Sequence, residues 1–216
     1  MDILIECVPA SADAATHVRQ QVFAREWQVT LPRLTEYDPK RQLTLVARNR
    51  SNQEPIAVLT VLETTGDTKL HSRLGLSSFE GDSAARYTQL AVLMPYRGMN
   101  LPILLITEAR KRFVGPKQIR YTWLMFDAER AKSSSLCHRL GFGTSPGRFL
   151  TEYGCVRILT RDERSPGAAL CDRKTQTWLE EAGCDALPAG FYRTLQPPGL
   201  MDRVPSETLL CTEEVR

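Results

Sequence analysis

The stretch that decides the fold is Tyr87–Phe113, which reads YTQLAVLMPYRGMNLPILLITEARKRF. Its first seven residues form a short β-prone run and predict a strand over Tyr87–Leu93. Pro95–Gly98 predicts a turn, and the apolar spacing that follows predicts a helix from about Leu101 to Arg112. The first turn of such a helix offers unpaired N–H groups and the positive end of a dipole, so a strand–turn–helix of this kind favours a phosphate or another anion.

The sequence on either side of this stretch alternates between strand and helix patterns. A helix beginning after Ser11 and running to about Trp27 is predicted near the start, and a Gly- and Ser-rich loop is predicted over Thr65–Ala84. Because helices connect neighbouring strands, the order predicts an α+β, mixed central sheet with at least one parallel pair. The other predicted strands are Asp2–Val8, Leu43–Arg48, Ile56–Glu63, Ile119–Phe126 and one or two within Phe149–Leu159, and the other helix is Asp127–Arg139.

The composition changes beyond Arg161. We expect residues 1–160 to form one domain and residues 161–216 to form an arm, with a helix at about 172–183 and a Pro-rich tail, that is not an independent domain. Specificity for a ligand, or a homodimer contact, is expected in this arm or in Thr65–Ala84.

The overall composition is that of an ordinary globular protein, with 42% hydrophobic and 25% charged residues. The longest apolar run, Leu101–Thr107, is far shorter than the roughly 20 residues of a membrane span. The opening MDILIECVPAS carries an acid where a secretory signal has Lys or Arg, so a cytoplasmic protein is expected. Six scattered cysteines and three histidines show no zinc-ligand spacing, which predicts free thiols and no metal.

Basic residues concentrate between Arg97 and Arg120, where six Lys or Arg residues accompany a single acid, Glu108. Such a cluster suits an anionic partner, either phosphates or an acidic carrier protein. The alternative is a solvated helix face. Nucleic acid is not favoured, because no aromatic residues interleave the basic ones.

Two motifs resemble the GNAT (GCN5-related N-acetyltransferase) superfamily of acyltransferases. The first follows the pattern L-x-V-x-P-x-Y-R-G-x-G-x-G of the family's acyl-CoA loop, and the second, Ser135–Phe142, resembles its helix ending in Leu-Gly-Phe. The resemblance implies a GNAT fold and acetyl-CoA or another acyl-CoA as co-substrate. The residues matching the first motif are Leu90, Val92, Tyr96, Arg97 and Gly98, with Pro95 one residue later than the pattern places it; the implied donor-binding residues are Leu90, Val92, Leu93, Arg97, Gly98, Met99, Asn100 and Leu101.

An early segment resembles one branch of that superfamily, the N-acyl amino acid synthases and acyl-homoserine-lactone synthases. Val22, Phe23 and Glu26 reproduce a V-F-x-x-E helix end, and Asp38 lies in the following loop. The resemblance implies a small amine acceptor such as an amino acid, and an acyl carrier protein thioester as an alternative donor. The structural alternative is that Val22 and Phe23 belong to the core and that Glu26 is a solvated helix end.

Three positions depart from the family pattern. Asn100 and Pro102 replace the two glycines expected to face phosphate, and Pro102 also lacks an N–H donor. Losing one charge-assisted hydrogen bond costs about 1.5–3 kcal/mol. Cys137 stands where many members carry the Tyr that protonates the departing thiolate. It is either a replacement proton donor or a buried helix cysteine.

An amine acceptor must lose a proton as it attacks a thioester, so a carboxylate or a held water is needed. Glu63 and Asp127 are the acids at predicted strand ends, although Glu63 could face solvent and Asp127 could cap a helix. Gln89 could hold a water. Backbone N–H groups near Val92 and Leu93 are expected to polarise the thioester carbonyl.

Two functions remain open from the sequence. The first is an N-acyltransferase that moves an acyl group from acyl-CoA or acyl carrier protein to a small amine. The second is a non-catalytic GNAT-fold module that binds a ligand or partner, which the changes at Asn100, Pro102 and Cys137 favour.

Overall fold

The computed structural model describes residues 2–29, 38–76, 79, 81–127, 136–151, 154–181 and 209–210. The chain forms two compact units. The first unit comprises Met1–Leu62, Tyr87–Lys117 and Gln176–Arg203, and the second comprises Glu63–Arg86, Gln118–Thr175 and Val204–Arg216.

Eight strands and five helices make up the described structure, with a single 3₁₀ turn before β2 and another after β4. The strands are β1 (Ile3–Val8), β2 (Gln42–Asn49), β3 (Pro55–Glu63), β4 (Ala84–Val92), β5 (Tyr121–Asp127), β6 (Gly143–Thr151), β7 (Gly154–Asp162) and β8 (Leu209–Leu210). The helices are α1 (Asp13–Arg19, continued as a π-helix over Gln20–Glu26), α2 (Thr68–Arg73), α3 (Leu101–Ala109, continued as a π-helix over Arg110–Val114), α4 (residues 136–139) and α5 (Pro166–Glu181); the 3₁₀ turns are Pro39–Arg41 and Met94–Tyr96.

In the first unit the strand order is β1-β2-β3-β4, and β1, β2 and β3 pair antiparallel. One face of β2 and β3 packs against α1, through a cluster that includes Val46 and Val58. The opposite face carries Cys7 and Leu45, and Arg112 beyond α3 donates to the Cys7 Sγ at 3.2 Å. Helices therefore cover both faces of this part of the sheet.

In the second unit β5, β7, β6 and β8 follow one another with antiparallel pairing. Trp123 and Ile158 on one face pack against α2 and Phe79. On the other face the Arg161 side chain bonds to the carbonyl oxygens of Leu140 and Ala168. The first residues of β4, Ala84–Arg86, belong to this unit.

β1 to β5 confirm the predicted strands with shifts of one to three residues at their ends. β6 begins at Gly143, six residues before the predicted stretch, and β8 was not predicted. Three helix predictions also need correction. Thr65–Ala84 is not only loop, because Asp67 accepts the Leu70 N–H at 3.1 Å and caps α2. α5 begins at Pro166 and not near 172, because the Ser165 Oγ accepts the Ala168 N–H at 3.1 Å. The third correction concerns α1, whose N-cap is Ala12 and not Ser11.

Most of the predicted helix Asp127–Arg139 lies outside the described residues, which show helix only at 136–139. The Pro-rich tail beyond residue 181 also lies outside them, apart from β8. No helix in the described part of the chain is long and apolar enough to cross a membrane.

Candidate functional site

The segment that joins β4 to α3 has a defined backbone path. After β4, the Leu93 N–H donates to the Ile56 carbonyl at 3.0 Å, which fixes the end of β4 against β3. One 3₁₀ turn then leads to Gly98, with φ +86°, and Asn100, with φ +61°. Asn is one of the few residues other than Gly that adopt this left-handed conformation. Asn100 therefore reproduces a backbone conformation that glycine would otherwise supply.

Four consecutive amides in this segment point to an anion site. The N–H groups of Ile103 and Leu104 are already bonded to the Asn100 carbonyl, at 2.9 and 3.1 Å. Among the described residues, no hydrogen bond is found for the N–H groups of residues 98, 99, 100 and 101. We call residues 97–101 the anion loop. Unpaired amides at the positive end of a helix suit a phosphate group, and Pro102 removes only the next amide along the helix.

Arg97, the cation of the anion loop, is held by two groups of the protein. Its Nε donates to the Val92 carbonyl at 3.1 Å, and its Nη2 forms an ion pair with Glu26. Glu26 is therefore not a solvated helix end. The Arg97 side chain keeps 41% of its surface exposed, so the rest of the guanidinium can still reach a ligand.

Tyr96 anchors the loop from the other side. Its hydroxyl donates to Glu54 at 2.6 Å, and its ring packs against the cluster that contains Leu93. The hydrogen bond to Glu54 raises the pKa of Tyr96 above its ordinary value, because the carboxylate holds the phenolic proton. Tyr96 therefore stays neutral and acts as an anchor for the loop.

The basic cluster predicted from the sequence is largely neutralised by neighbouring groups. Glu108 is buried and pairs with both Lys111, at 3.4 Å, and Arg112, at 3.0 Å. In the second unit Arg120 pairs with Asp82 at 2.8 Å. The basic residues between Arg97 and Arg120 therefore do not form one continuous, unpaired basic surface.

Gln89 has an unusual conformation in the middle of β4. Its φ of +51° is left-handed, which is rare within a strand and is a conformation found at many functional sites. The Oε1 of its half-buried side chain is shielded from solvent, and no hydrogen-bond partner is found for it in the described part of the chain. A shielded acceptor of this kind is suited to an N–H or O–H group of a ligand.

The eight predicted donor-binding residues form one continuous segment of the first unit. Leu93 and Leu101 have buried side chains, so only their backbone could reach a ligand. The Leu93 amide is already bonded to Ile56, which excludes it from the oxyanion role that the sequence suggests. The Val92 amide remains the candidate for that role.

The three other predicted catalytic residues belong to the second unit. Glu63 is the half-buried last residue of β3, and Asp127 is the last residue of β5, with its side chain outside the described structure. Cys137 is only 7% exposed, and burial raises its pKa to about 11. A thiol with that pKa is a poorer proton donor than an ordinary cysteine, which favours the core interpretation of Cys137.

Sequence reasoning did not identify the contact between Glu26 and Arg97 or the buried position of Arg161. Glu26 carried a signal, because it belongs to the V-F-x-x-E pattern, but its partner lies 71 residues away. Arg161 carried none, because a lone arginine at the end of an apolar strand is usually exposed.

Comparison with known proteins supports the fold but not a family by sequence. No family model matches the sequence, and no curated protein matches it significantly. Among solved structures, the chain resembles NAA60 from Arabidopsis thaliana in complex with acetyl-CoA, at 17% identity and a TM-score of 0.55, over 76% of this chain and 100% of the other.

Two further similar structures come from the synthase branch. BjaI, a CoA-dependent acyl-homoserine lactone synthase solved with SAM and isopentyl-CoA, has 15% identity and a TM-score of 0.55, covering 81% of this chain and 90% of its own. FeeM, an N-acyl amino acid synthase from uncultured soil microbes, has 11% identity and a TM-score of 0.55, covering 78% and 98%.

These likenesses confirm the predicted fold class. The chain has the GNAT fold, with a mixed central sheet flanked by helices. Because the TM-scores are equal, the fold does not distinguish the synthase branch from other acyltransferases.

Proposed function

We propose that this protein is an N-acyltransferase that moves an acyl group from acyl-CoA, or from an acyl carrier protein thioester, to the amine of a small acceptor such as an amino acid. The observation that carries the proposal is the anion loop, where unpaired amides and Arg97 follow the central strand of a GNAT fold. The acyltransferases that share this fold include structures solved with acetyl-CoA and isopentyl-CoA.

In this proposal the anion loop binds the phosphates of the donor. The amides of residues 98–101 donate to phosphate oxygens, and the exposed part of the Arg97 guanidinium adds a charge-assisted bond. The backbone of Leu90 and Val92 holds the pantetheine arm, which places the thioester beside β4. Met99, with 43% of its surface exposed, offers an apolar contact at the rim.

Acyl transfer is proposed to be direct. The acceptor nitrogen forms a bond to the carbonyl carbon, the C–S bond breaks, the pantetheine leaves as a thiolate that takes up a proton, and the nitrogen loses one. The Val92 N–H would stabilise the negative charge on the carbonyl oxygen. The shielded Oε1 of Gln89 would accept an N–H from the amine and orient it for attack.

Glu63 and Asp127, the two acids that the sequence suggests as proton acceptors, remain predictions. Cys137 is a weak candidate for protonating the leaving thiolate, because its pKa of about 11 lies far above neutral pH. A cytoplasmic location, a homodimer and the 1–160 domain boundary remain predictions.

The test is a transfer assay on the full chain with acetyl-CoA and a long-chain acyl-CoA, and with acyl carrier protein loaded with each acyl group. A panel of amino acids serves as acceptors, and mass spectrometry identifies N-acyl products. We expect one donor class to give product with matching thiol release, and Gln89→Leu to lower kcat with little change in thermal stability. Absence of product from every donor, with a folded protein, would contradict the proposal.

The non-catalytic module remains a second candidate, favoured by two observations. Arg97 is engaged by Glu26, and the thiol that replaces the family's Tyr is buried with a raised pKa. Saturable donor binding without transfer to any acceptor would support this candidate over the enzyme.

A further inference from the structure

The end of α1 packs beside the anion loop. Phe23 is buried in the same cluster as Leu93 and Tyr96, and the Trp27 ring packs edge-on against Phe23 at 5.0 Å between centroids. Glu26 lies between these two aromatic residues in the sequence. The Glu26 side chain is 21% exposed, and its carboxylate reaches Arg97 from this helix end.

Arg97 is the single cationic side chain between residues 93 and 101. The protein already uses its Nε for the Val92 carbonyl and its Nη2 for Glu26. A phosphate at the loop amides must therefore share the guanidinium with a carboxylate that also repels it. Like charges at this range oppose binding, most strongly for the ligand that carries the most charge.

We propose that Glu26 determines donor specificity by lowering the affinity of the anion loop for donors that carry several negative charges. The inference rests on the proposed function, since it assumes that the loop binds the donor's phosphates. CoA carries a diphosphate and a further phosphate, so it is disfavoured more than a donor with a single phosphate, such as a phosphopantetheine group. Glu26 is a positioning and selecting residue and takes no part in the bond-making step.

The test compares wild type with Glu26→Gln and with a matched control, Glu6→Gln. Glu6 forms a half-buried ion pair with Arg48 at 2.7 Å on β1 and β2 of the same unit, and its side-chain exposure is similar to that of Glu26. Isothermal titration measures binding of CoA, 4′-phosphopantetheine and phosphate-free pantetheine to each folded protein.

We expect Glu26→Gln to bind CoA about three- to tenfold more tightly, because an exposed ion pair and one like charge each change affinity by a small factor. The gain should be smaller for phosphopantetheine and absent for pantetheine. It should shrink at high salt. The Glu26→Gln change should also give a smaller gain when it is made in an Arg97→Gln background, where no shared guanidinium is left to release. In transfer assays the KM for acyl-CoA should fall while kcat stays unchanged.

Three results would overturn the inference. CoA affinity that is unchanged or weaker in Glu26→Gln, while wild type binds CoA, would remove the role of Glu26 and leave the proposed function standing. Absence of binding of every phosphate-bearing ligand to wild type and Glu26→Gln alike would overturn both. An equal gain in Glu6→Gln would reduce the effect to net charge and would also contradict the inference.

Discussion

Two glycine turns, one in each unit, lie within the two sequence motifs and share a left-handed backbone. Gly98 in the anion loop has φ +86°, and Gly141 after α4 has φ +79°. Their surroundings differ. A Cβ placed on Gly98 would meet nothing within 4 Å, whereas one on Gly141 would lie 3.1 Å from the Arg161 Nη1 and 3.3 Å from the Cys171 Sγ.

The surroundings of Gly98 and Gly141 show that a glycine in a motif can have either of two roles. The space beside Gly98 is open, so the glycine leaves room for a ligand to approach the backbone. The space beside Gly141 is filled, so that glycine lets Arg161 and α5 pack against the turn. A glycine in a motif therefore does not by itself indicate a binding site.

Removing the Arg161 guanidinium should have the largest effect on stability. The side chain is fully buried and bonds to Leu140, Ala168, Glu163 and Asp172. Arg161→Met should lower the free energy of unfolding by about 3–5 kcal/mol, because it removes the buried cation that is bonded to two carboxylates and two carbonyl oxygens. Urea denaturation measures the loss. Arg120→Met, which breaks a more exposed pair in the same unit, should have little effect, and equal losses would contradict this account of Arg161.

Alanine at the two glycines sharpens the comparison directly. Gly141→Ala should lose about 2–4 kcal/mol of stability, since left-handed strain and overpacking add. Gly98→Ala should lose only about 1–2 kcal/mol, from strain alone, but should weaken CoA binding. Denaturation gives the free energy of unfolding of each variant, and titration gives its dissociation constant for CoA. A larger stability loss for Gly98→Ala than for Gly141→Ala would contradict the assignment of Gly141 to packing and of Gly98 to ligand binding.

A smaller effect is expected from His71, a buried residue of the second unit. Its Nε2 lies 3.2 Å from the Thr64 Oγ1, which also accepts the Trp123 indole N–H. Burial lowers the pKa of His71, and nearby Asp67 opposes that shift only in part. The folded protein therefore binds fewer protons than the unfolded chain below about pH 6.5, so stability should fall as the pH drops from 7 to 5.

Replacing His71 isolates that contribution. Thermal unfolding of His71→Gln should depend less on pH across this window than wild type, whatever its absolute stability. His17→Gln, at an exposed histidine of α1, should keep the wild-type pH dependence. Identical slopes for wild type and His71→Gln would show that His71 makes no such contribution.

The smallest effect is expected at Cys137. With a pKa of about 11, its thiol stays protonated from pH 6 to 9 and contributes no inflection to a rate profile. Cys137→Ala should keep the same pH dependence of kcat. If the wild-type plot of kcat against pH shows an inflection that Cys137→Ala lacks, Cys137 takes part in catalysis and this account of it is wrong.

Local patterns were sufficient to predict most of the sheet from the sequence. Apolar runs such as Ile56–Glu63 predict buried strands because each must bury its side chains on at least one face. The helix α2 was missed because its six residues lie in a Gly- and Ser-rich segment, where one Asp cap is the only signal. The predicted starts of α1 and α5 were wrong because the residues that cap them, Ala12 and Ser165, are not the ones that the sequence pattern favours.

Only the part of the candidate site that is continuous in sequence could be predicted. The loop from Arg97 to Leu101 is continuous in sequence, so its motif and its helix start could be recognised together. The Glu26–Arg97 pair joins residues far apart in the chain, and the left-handed φ of Gln89 has no signature in residue type. Both depend on tertiary packing, which a single sequence does not encode in any local pattern.

The measurement that tests the central claim most directly is titration of the full chain with CoA, 4′-phosphopantetheine and pantetheine. If the anion loop binds the donor, the two phosphate-bearing ligands should bind saturably, pantetheine should bind much more weakly, and Gly98→Ala should weaken both phosphate-dependent affinities. Equal binding of all three ligands, or no binding of either phosphate-bearing one to a folded protein, would contradict the assignment of residues 97–101 as the donor site.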